Sequence, residues 1–221
     1  MTEYSLHSEI KHWYKTPEDE LETKVDNFII DVLRKKLLIE IQTGNFSAIK
    51  KKLITLLHNN NQVRLVYPIA KLKWIIHLSQ SGEFVRRRRS PKKGKLTDLF
   101  YELVYTPSLM RDKNFSLEVL LIEEEEIRCN DGKGSWRRRG ASIKDRKLLN
   151  VFDRIVFENN QDFLKFLPQK LDGPFTNRLL ALKLGTSITL TQKITYCLRK
   201  MGTISIVGKR RNQLVFQVSS T

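Results

Sequence analysis

Two short apolar runs, FIIDVL (28–33) and LLIEIQT (37–43), constrain the fold more than any other part of the chain. Both are rich in Ile, Leu and Val on both faces of an extended segment, the pattern of central strands covered on two sides. Only RKK (34–36) separates them, so they read as a hairpin. Each run nevertheless carries an acid, Asp31 in the first and Glu40 in the second, with Gln42 close behind. Carboxylates are costly to bury unless they are paired, hydrogen-bonded or bound to a metal.

Side chains alternate along a strand, so Glu40 and Gln42 share one face while Ile39 and Ile41 share the other. A two-residue turn at Lys35 and Lys36 sets Asp31 directly opposite Glu40. Facing Cβ atoms lie roughly 5 Å apart, and like charges placed so repel unless something offsets them. A divalent cation would do that. Two carboxylates, water and a phosphate make the oxygen-rich shell that Mg²⁺ prefers, with Mn²⁺ as its substitute. Gln42 would position the water, and Lys50 or Lys51 at the start of the next helix would meet the phosphate. The competing reading is structural. A slip of one residue moves Asp31 to the other face, and Asp31 can simply pair with a neighbouring lysine.

The surroundings are legible as elements. SLHSEIKHWYK (5–15) has helical spacing, Pro17 breaks it, and LETKVDN (21–27) alternates as a strand. GNFSAIKKKLITLLHNN (44–60) reads as a helix with Asn45 as its N-cap, followed by the strand VRLVYPI (63–69). The order α–β–β–β–α–β predicts an α/β mixed sheet with helices packed on it.

Asp31, Glu40 and Gln42 on successive strands, after one helix and before another, resemble the PD-(D/E)xK, restriction-endonuclease-like superfamily. IIDVL…LLIEIQT is similar in particular to its Asp…Glu-x-Gln variants of the CoiA type. The resemblance covers residues 5–70. It implies a nuclease in which Asp31 and Glu40 bind the metal and Gln42 takes the place usually held by a water-orienting Lys. Gln cannot supply charge there, so another base such as Lys50 would help. The superfamily often adds an acid from the first helix or strand. Glu9 and Glu22 are the candidates, and Glu22 is favoured because its strand runs beside the site.

Further along, KWIIHLSQSGEFVRRRRSP reads as a hairpin with a Ser-Gly turn at 81–82, and FSLEVLLIEEEEIR as a strand. LTDLFYELVYTPSLM and DRKLLNVFDRIVFENNQDFLKFLP read as mainly helical, and EEEE (123–126) as a solvated edge. Pro168 and DGP (172–174) mark a boundary. Beyond it come a helix (175–185) with Thr176 as cap and Gly185 as stop, a second helix (190–202), and a hairpin with the basic tip GKRRN. That order is the pattern of a winged helix-turn-helix, giving domains at 1–165 and 170–221. Its recognition helix would present Thr191, Gln192, Lys193, Thr195, Tyr196 and Arg199, and its wing tip Lys209, Arg210 and Arg211.

Charge points to the partner. The net charge is +16, yet residues 1–60 are neutral, with nine Lys/Arg against nine Asp/Glu. The acids therefore gather at the proposed chemistry and the excess of bases lies elsewhere, as expected for an enzyme that tracks a polyanion. Arg86, Arg87, Arg88 and Arg89 form one concentrated phosphate-binding candidate, and WRRRG, with Arg137 and Arg138, forms another; such runs are otherwise solvated loops. Cys129 and Cys197 are far apart and in no CxxC pattern, and the four histidines show no metal-ligand spacing. No run approaches the roughly 18 apolar residues of a membrane span, and the N-terminus has no apolar core, so the chain reads as cytoplasmic.

The expected protein is thus a Mg²⁺- or Mn²⁺-dependent DNA endonuclease with a winged helix, an architecture similar to TnsA-type endonucleases. That architecture suggests defence, repair or transposition. A catalytically inactive DNA-binding regulator and a nuclease acting on RNA are the competing readings. A homodimer or an activating protein partner is compatible with each.

Overall fold

The computed structural model describes residues 4–169, 171 and 173–219. Its centre is the expected hairpin. β2 (Phe28–Arg34) and β3 (Leu37–Ile41) pair antiparallel with Val32 opposite Ile39 and Arg34 opposite Leu37. Lys35 turns the chain at φ 57°, so the two-residue Lys-Lys loop sets the register. β1 (Glu20–Val25) pairs with the outer edge of β2.

From β3 the chain crosses through α2 (Phe46–His58) into β4 (Gln62–Leu78), which runs parallel to β3. β4 is long enough to serve two neighbours on one edge. Its first residues pair with β3, and its last, from Trp74, pair with β5 (Phe84–Arg89) across a turn that holds Gly82 at φ 90°. The other edge of β4 runs parallel to β6 (Phe115–Cys129), which in turn pairs antiparallel with β7 (Ser142–Phe157). Among the described residues this makes a seven-stranded mixed sheet in the order β1-β2-β3-β4-β6-β7, with β5 alongside β4.

Two apolar layers cover the sheet. α1 (Ser5–Tyr14) packs Leu6, Ile10 and Tyr14 against Val32, Ile39, Ile41, Val66, Leu120 and Ile122. The opposite layer joins α2 to the short α3 (Phe100–Leu103) and to a cluster in which Phe157 and Phe166 stack at 5.6 Å. The start of α2 differs from expectation. Asn45 stands at the cap position with φ 57°, and its side chain makes no cap bond. Glu102 of α3 instead accepts from the Phe46 N–H at 3.0 Å, a carboxylate at the positive end of the helix dipole. Glu102→Ala should lower stability by about 1 kcal/mol, read by denaturant unfolding.

Three regions correct the expectations. Of residues 145–168, expected to be mainly helical, 145–157 lie in β7, because the long edge of β6 needs a partner for its backbone groups, and only Asn160–Phe166 forms a 3-10 turn. Residues 96–111 are only partly helical: 3-10 turns at Leu96–Leu99 and Pro107–Arg111 flank the single turn of α3. EEEE is no solvated edge, since β6 lies between β4 and β7 and buries Glu118, Glu124 and Glu126. Lys73 reaches both Glu124 (2.6 Å) and Glu126 (3.1 Å), Arg146 reaches Glu124 (2.6 Å) and Arg128 reaches Glu126 (2.6 Å). Glu123 and Glu125 point to the other face, toward Trp74 and Arg87.

At the C-terminus, α4 (Asn177–Leu184) starts on a Thr176 side-chain cap and stops at Gly185, as expected. α5 (Ile188–Met201) starts at a Ser187 cap and leads into the hairpin of β9 (Ile204–Arg210) and β10 (Gln213–Val218), to which the two-residue β8 (Phe175–Thr176) adds a third strand. Leu190, Ile194 and Cys197 of α5 belong to the same apolar cluster as Phe100 and Phe163, so the core runs across the expected boundary at 165–170. Asp172, in the expected linker, lies outside the described residues. Among the described residues no helix is long and apolar enough to cross a membrane.

Candidate active site

The β2–β3 ladder has its last pair at Val32 and Ile39, and Asp31 comes next. Its carboxylate accepts the Ile41 N–H at 2.8 Å, so a side chain takes a bond the neighbouring backbone would otherwise make. His7 Nε2 lies 3.1 Å from the same Asp31 oxygen, and Lys11 Nζ lies 3.5 Å from the other. Burial pushes Asp31 up, but the His7 ring, the Ile41 N–H and Lys11 outweigh it and hold the carboxyl below its usual range.

Glu40 sits on the α2 side of β3 and is 3% exposed. Lys52 Nζ stands 2.5 Å from its Oε1 and also donates to the Ile29 carbonyl. That contact lacks hydrogen-bond geometry, and among the described residues Oε1 has no other partner. Burial first, and Asp31 second, raise Glu40 from its ordinary 4.5 to about 7, against the pull of Lys52. Asp31, Glu40, Gln42, His7 and Lys52 line one cavity of about 300 Å³, with Ala48 and Ile49 of α2. A larger concavity of about 960 Å³ shares His7, Gln42 and Ala48 with it and reaches Lys133, Lys144 and Arg146.

The expected residues are thus partly assembled. Asp31, Glu40 and Gln42 meet as the spacing predicts. The Gln42 amide, however, donates to the Gly44 carbonyl, which ties it to the turn before α2. Glu22 is exposed at φ 53° and binds Lys11 at 2.9 Å, so it reaches Asp31 only through that ammonium. Lys50 and Lys51 are exposed, and Lys52 takes the place expected of them. The helical phase carries that signal: Lys52 follows Ile49 by three residues and precedes Leu53 and Leu56 on the buried face, while Lys50 points away. His7 neighbours Leu6 and lies one turn before Lys11 on α1, but nothing in the sequence says which strand that helix covers.

The basic residues divide by environment. Arg87 lies 4.0 Å above the Trp74 ring and pairs with Glu125, and Arg88 leans on His77, leaving Arg86 and Arg89 outward. Arg137 is exposed, whereas Arg138 donates to the Ala141 carbonyl and braces its own loop. On α5, Gln192, Tyr196 and Arg199 are exposed, and Lys193 lies 5.8 Å from the Tyr101 ring. Thr191 and Thr195, expected to face solvent, are buried. Their hydroxyls donate to the Ser187 carbonyl and to Asn177, which lets polar residues pass into the core. Lys209, Arg210 and Arg211 are exposed at the hairpin tip.

Among the described residues no group of three His, Cys, Asp or Glu is arranged to hold a metal. The two carboxylates nevertheless fit a hard divalent ion. They line one cavity, and their mutual repulsion, which Lys52 only partly offsets at Glu40, is what a cation would relieve.

Comparison with known proteins places this arrangement in context. A protein of Treponema pallidum (strain Nichols), described as uncharacterized, is 29% identical over 209 residues, covering 94% of this chain and 82% of its own. No solved structure matches the chain. Residues 4–158, which span α1 through β7 and so hold every residue of the carboxylate cavity, match the family described as a domain of unknown function, DUF8091, and the chain belongs to that family.

Proposed function

We propose that the chain is a metal-dependent nuclease that hydrolyses phosphodiester bonds in DNA. The observation that carries this reading is the convergence of Asp31 and Glu40 on one cavity, with a lysine at its wall, in a chain of net charge +16. Asp31 and Glu40 would hold Mg²⁺ or Mn²⁺, with water and the substrate phosphate completing the shell. When bound, the ion would lower the pKa of a water and stabilise charge on the phosphate.

The chain's own residues have separable parts. Lys52 pairs with Glu40 in the free protein and, on the cavity wall, would meet an incoming phosphate oxygen. Lys11 and His7 hold Asp31 ionised and fixed. Gln42 shapes the cavity mouth. α4, α5 and the β9–β10 hairpin would act as a winged helix that grips the duplex backbone through Lys209, Arg210 and Arg211. Because Glu40 titrates near 7, protons compete with the ion. Apparent Mn²⁺ affinity, measured by calorimetry, should rise as pH increases through about 7 and should lose that dependence in Glu40→Gln.

The test is cleavage of supercoiled, linear and single-stranded DNA with Mg²⁺, Mn²⁺ or EDTA, beside Asp31→Asn and Lys52→Met. Metal-dependent cutting by the parent, abolished in Asp31→Asn and strongly reduced in Lys52→Met, is the expected result. The second reading is a DNA-binding protein with an inactive nuclease-like core. It is favoured by the cations that already balance both carboxylates. DNA binding without cutting under any metal would establish it.

A further inference from the structure

The loop between β6 and β7 holds Trp136 with 83% of its surface exposed, more than any other large apolar residue described. The backbone beneath it is tied by hydrogen bonds. The Gly134 N–H donates to the Gly140 carbonyl (2.7 Å), Arg138 N–H to Ser135 (2.9 Å) and Arg139 N–H to Trp136 (2.9 Å). A Cβ on Gly134 would stand 1.8 Å from the Ala141 carbonyl oxygen, so the two limbs of the loop touch through a glycine. At its base, Asp131 takes hydrogen bonds from Ser142 (2.7 Å) and Lys144 (2.8 Å). A fixed loop thus holds an indole in solvent, where it loses the favourable burial its surface offers.

Its neighbours narrow what the indole can meet. Arg137 lies 5.6 Å from the Trp136 ring, and Lys133, Arg137 and Arg139 are exposed around it. The same loop is continuous with the active-site concavity, whose wall includes Asp131, Lys133, Ser142 and Lys144 as well as His7 and Gln42. An exposed aromatic ring among cations, beside a groove that leads to the carboxylates, matches the stacking platforms on which unpaired bases lie while their phosphates are neutralised. A paired base offers no free face to such a ring.

We propose that the Trp136 loop is a stacking site for an unpaired DNA base, and that it biases the protein toward single-stranded or frayed DNA. The choice of DNA rests on the nuclease reading above; the stacking itself does not need catalysis. The test uses the full chain in EDTA, with a labelled DNA oligonucleotide of about 20 nucleotides as single strand and as duplex. Trp136→Ala should weaken single-strand binding about 5- to 100-fold and duplex binding by less than about twofold, while Trp136→Phe keeps most of the affinity. Indole fluorescence should be quenched by the single strand in the parent and much less so in Trp136→Phe. Equal losses on both forms, no loss on either, or no parental affinity for the single strand would overturn the proposal. So would Trp136-dependent binding to anionic phosphatidylglycerol vesicles with single-strand affinity unchanged. Since EDTA is present throughout, these outcomes bear on the loop, whereas absence of cutting with Mg²⁺ bears on the carboxylate site.

Discussion

Glu40→Gln should abolish cleavage and at the same time make the protein more stable at about pH 8. The loss of cleavage should be at least about 100-fold, since even residues that merely orient metal ligands are worth 10- to 100-fold. The gain in stability follows from the direction of the Glu40 shift. Its carboxyl titrates at about 7 in the folded chain against an ordinary 4.5. Below 4.5 it is protonated whether folded or unfolded and costs nothing. Between 4.5 and about 7 only the folded chain holds the proton, so stability falls as pH rises through that window. Above it the folded chain carries the full cost of a buried charge beside Asp31, on the order of 3 kcal/mol. A neutral Gln removes that cost, so the unfolding midpoint should rise by several degrees near pH 8, the gain vanishing toward pH 4.5. Thermal unfolding across this range, beside the cleavage assay, checks both halves. A variant that loses cutting and stability together would show that Glu40 serves the fold.

Lys73→Met should destabilise the protein by about 3 kcal/mol. Its ammonium is shared by Glu124 and Glu126, both buried in the central strand β6. Removing it leaves Glu124 with Arg146 and Glu126 with Arg128, which places the loss at the lower end of the range for a broken buried pair. Chemical denaturation measures it. A single variant within about 0.5 kcal/mol of the parent would mean that the two arginines suffice.

How much of this could be read beforehand differs by element. The hairpin register was legible because a two-residue basic turn leaves β2 and β3 one pairing, and the cavity carboxylates follow from it. β7 was not, because LLNVFDRIVF fits a helix as well as a strand, and only the open edge of β6 decides between them. The acidic run misled for a related reason: its counterions Lys73, Arg128 and Arg146 come from three separate strands. Thr191 and Thr195 looked outward because a hydroxyl that bonds within its own helix turn, or to the next helix, carries no mark of burial. Lys52 was legible in the helical phase of α2, whereas His7 needed the docking of α1.

That docking has a consequence for the order in which the protein is made. Asp145 of β7 accepts the Ser5 N–H at 2.8 Å and the Ser5 hydroxyl at 2.6 Å, and Glu9 accepts the Leu148 N–H. α1 is therefore fastened to a strand about 140 residues away, and α1 also carries His7 and Lys11 to Asp31. On the ribosome the hairpin with both carboxylates emerges well before β7, so the bonds that tie α1 to Asp145 and Leu148 can close only once β7 has been synthesised. Until then the helix that brings His7 and Lys11 to Asp31 has only its apolar contacts with the early strands to hold it.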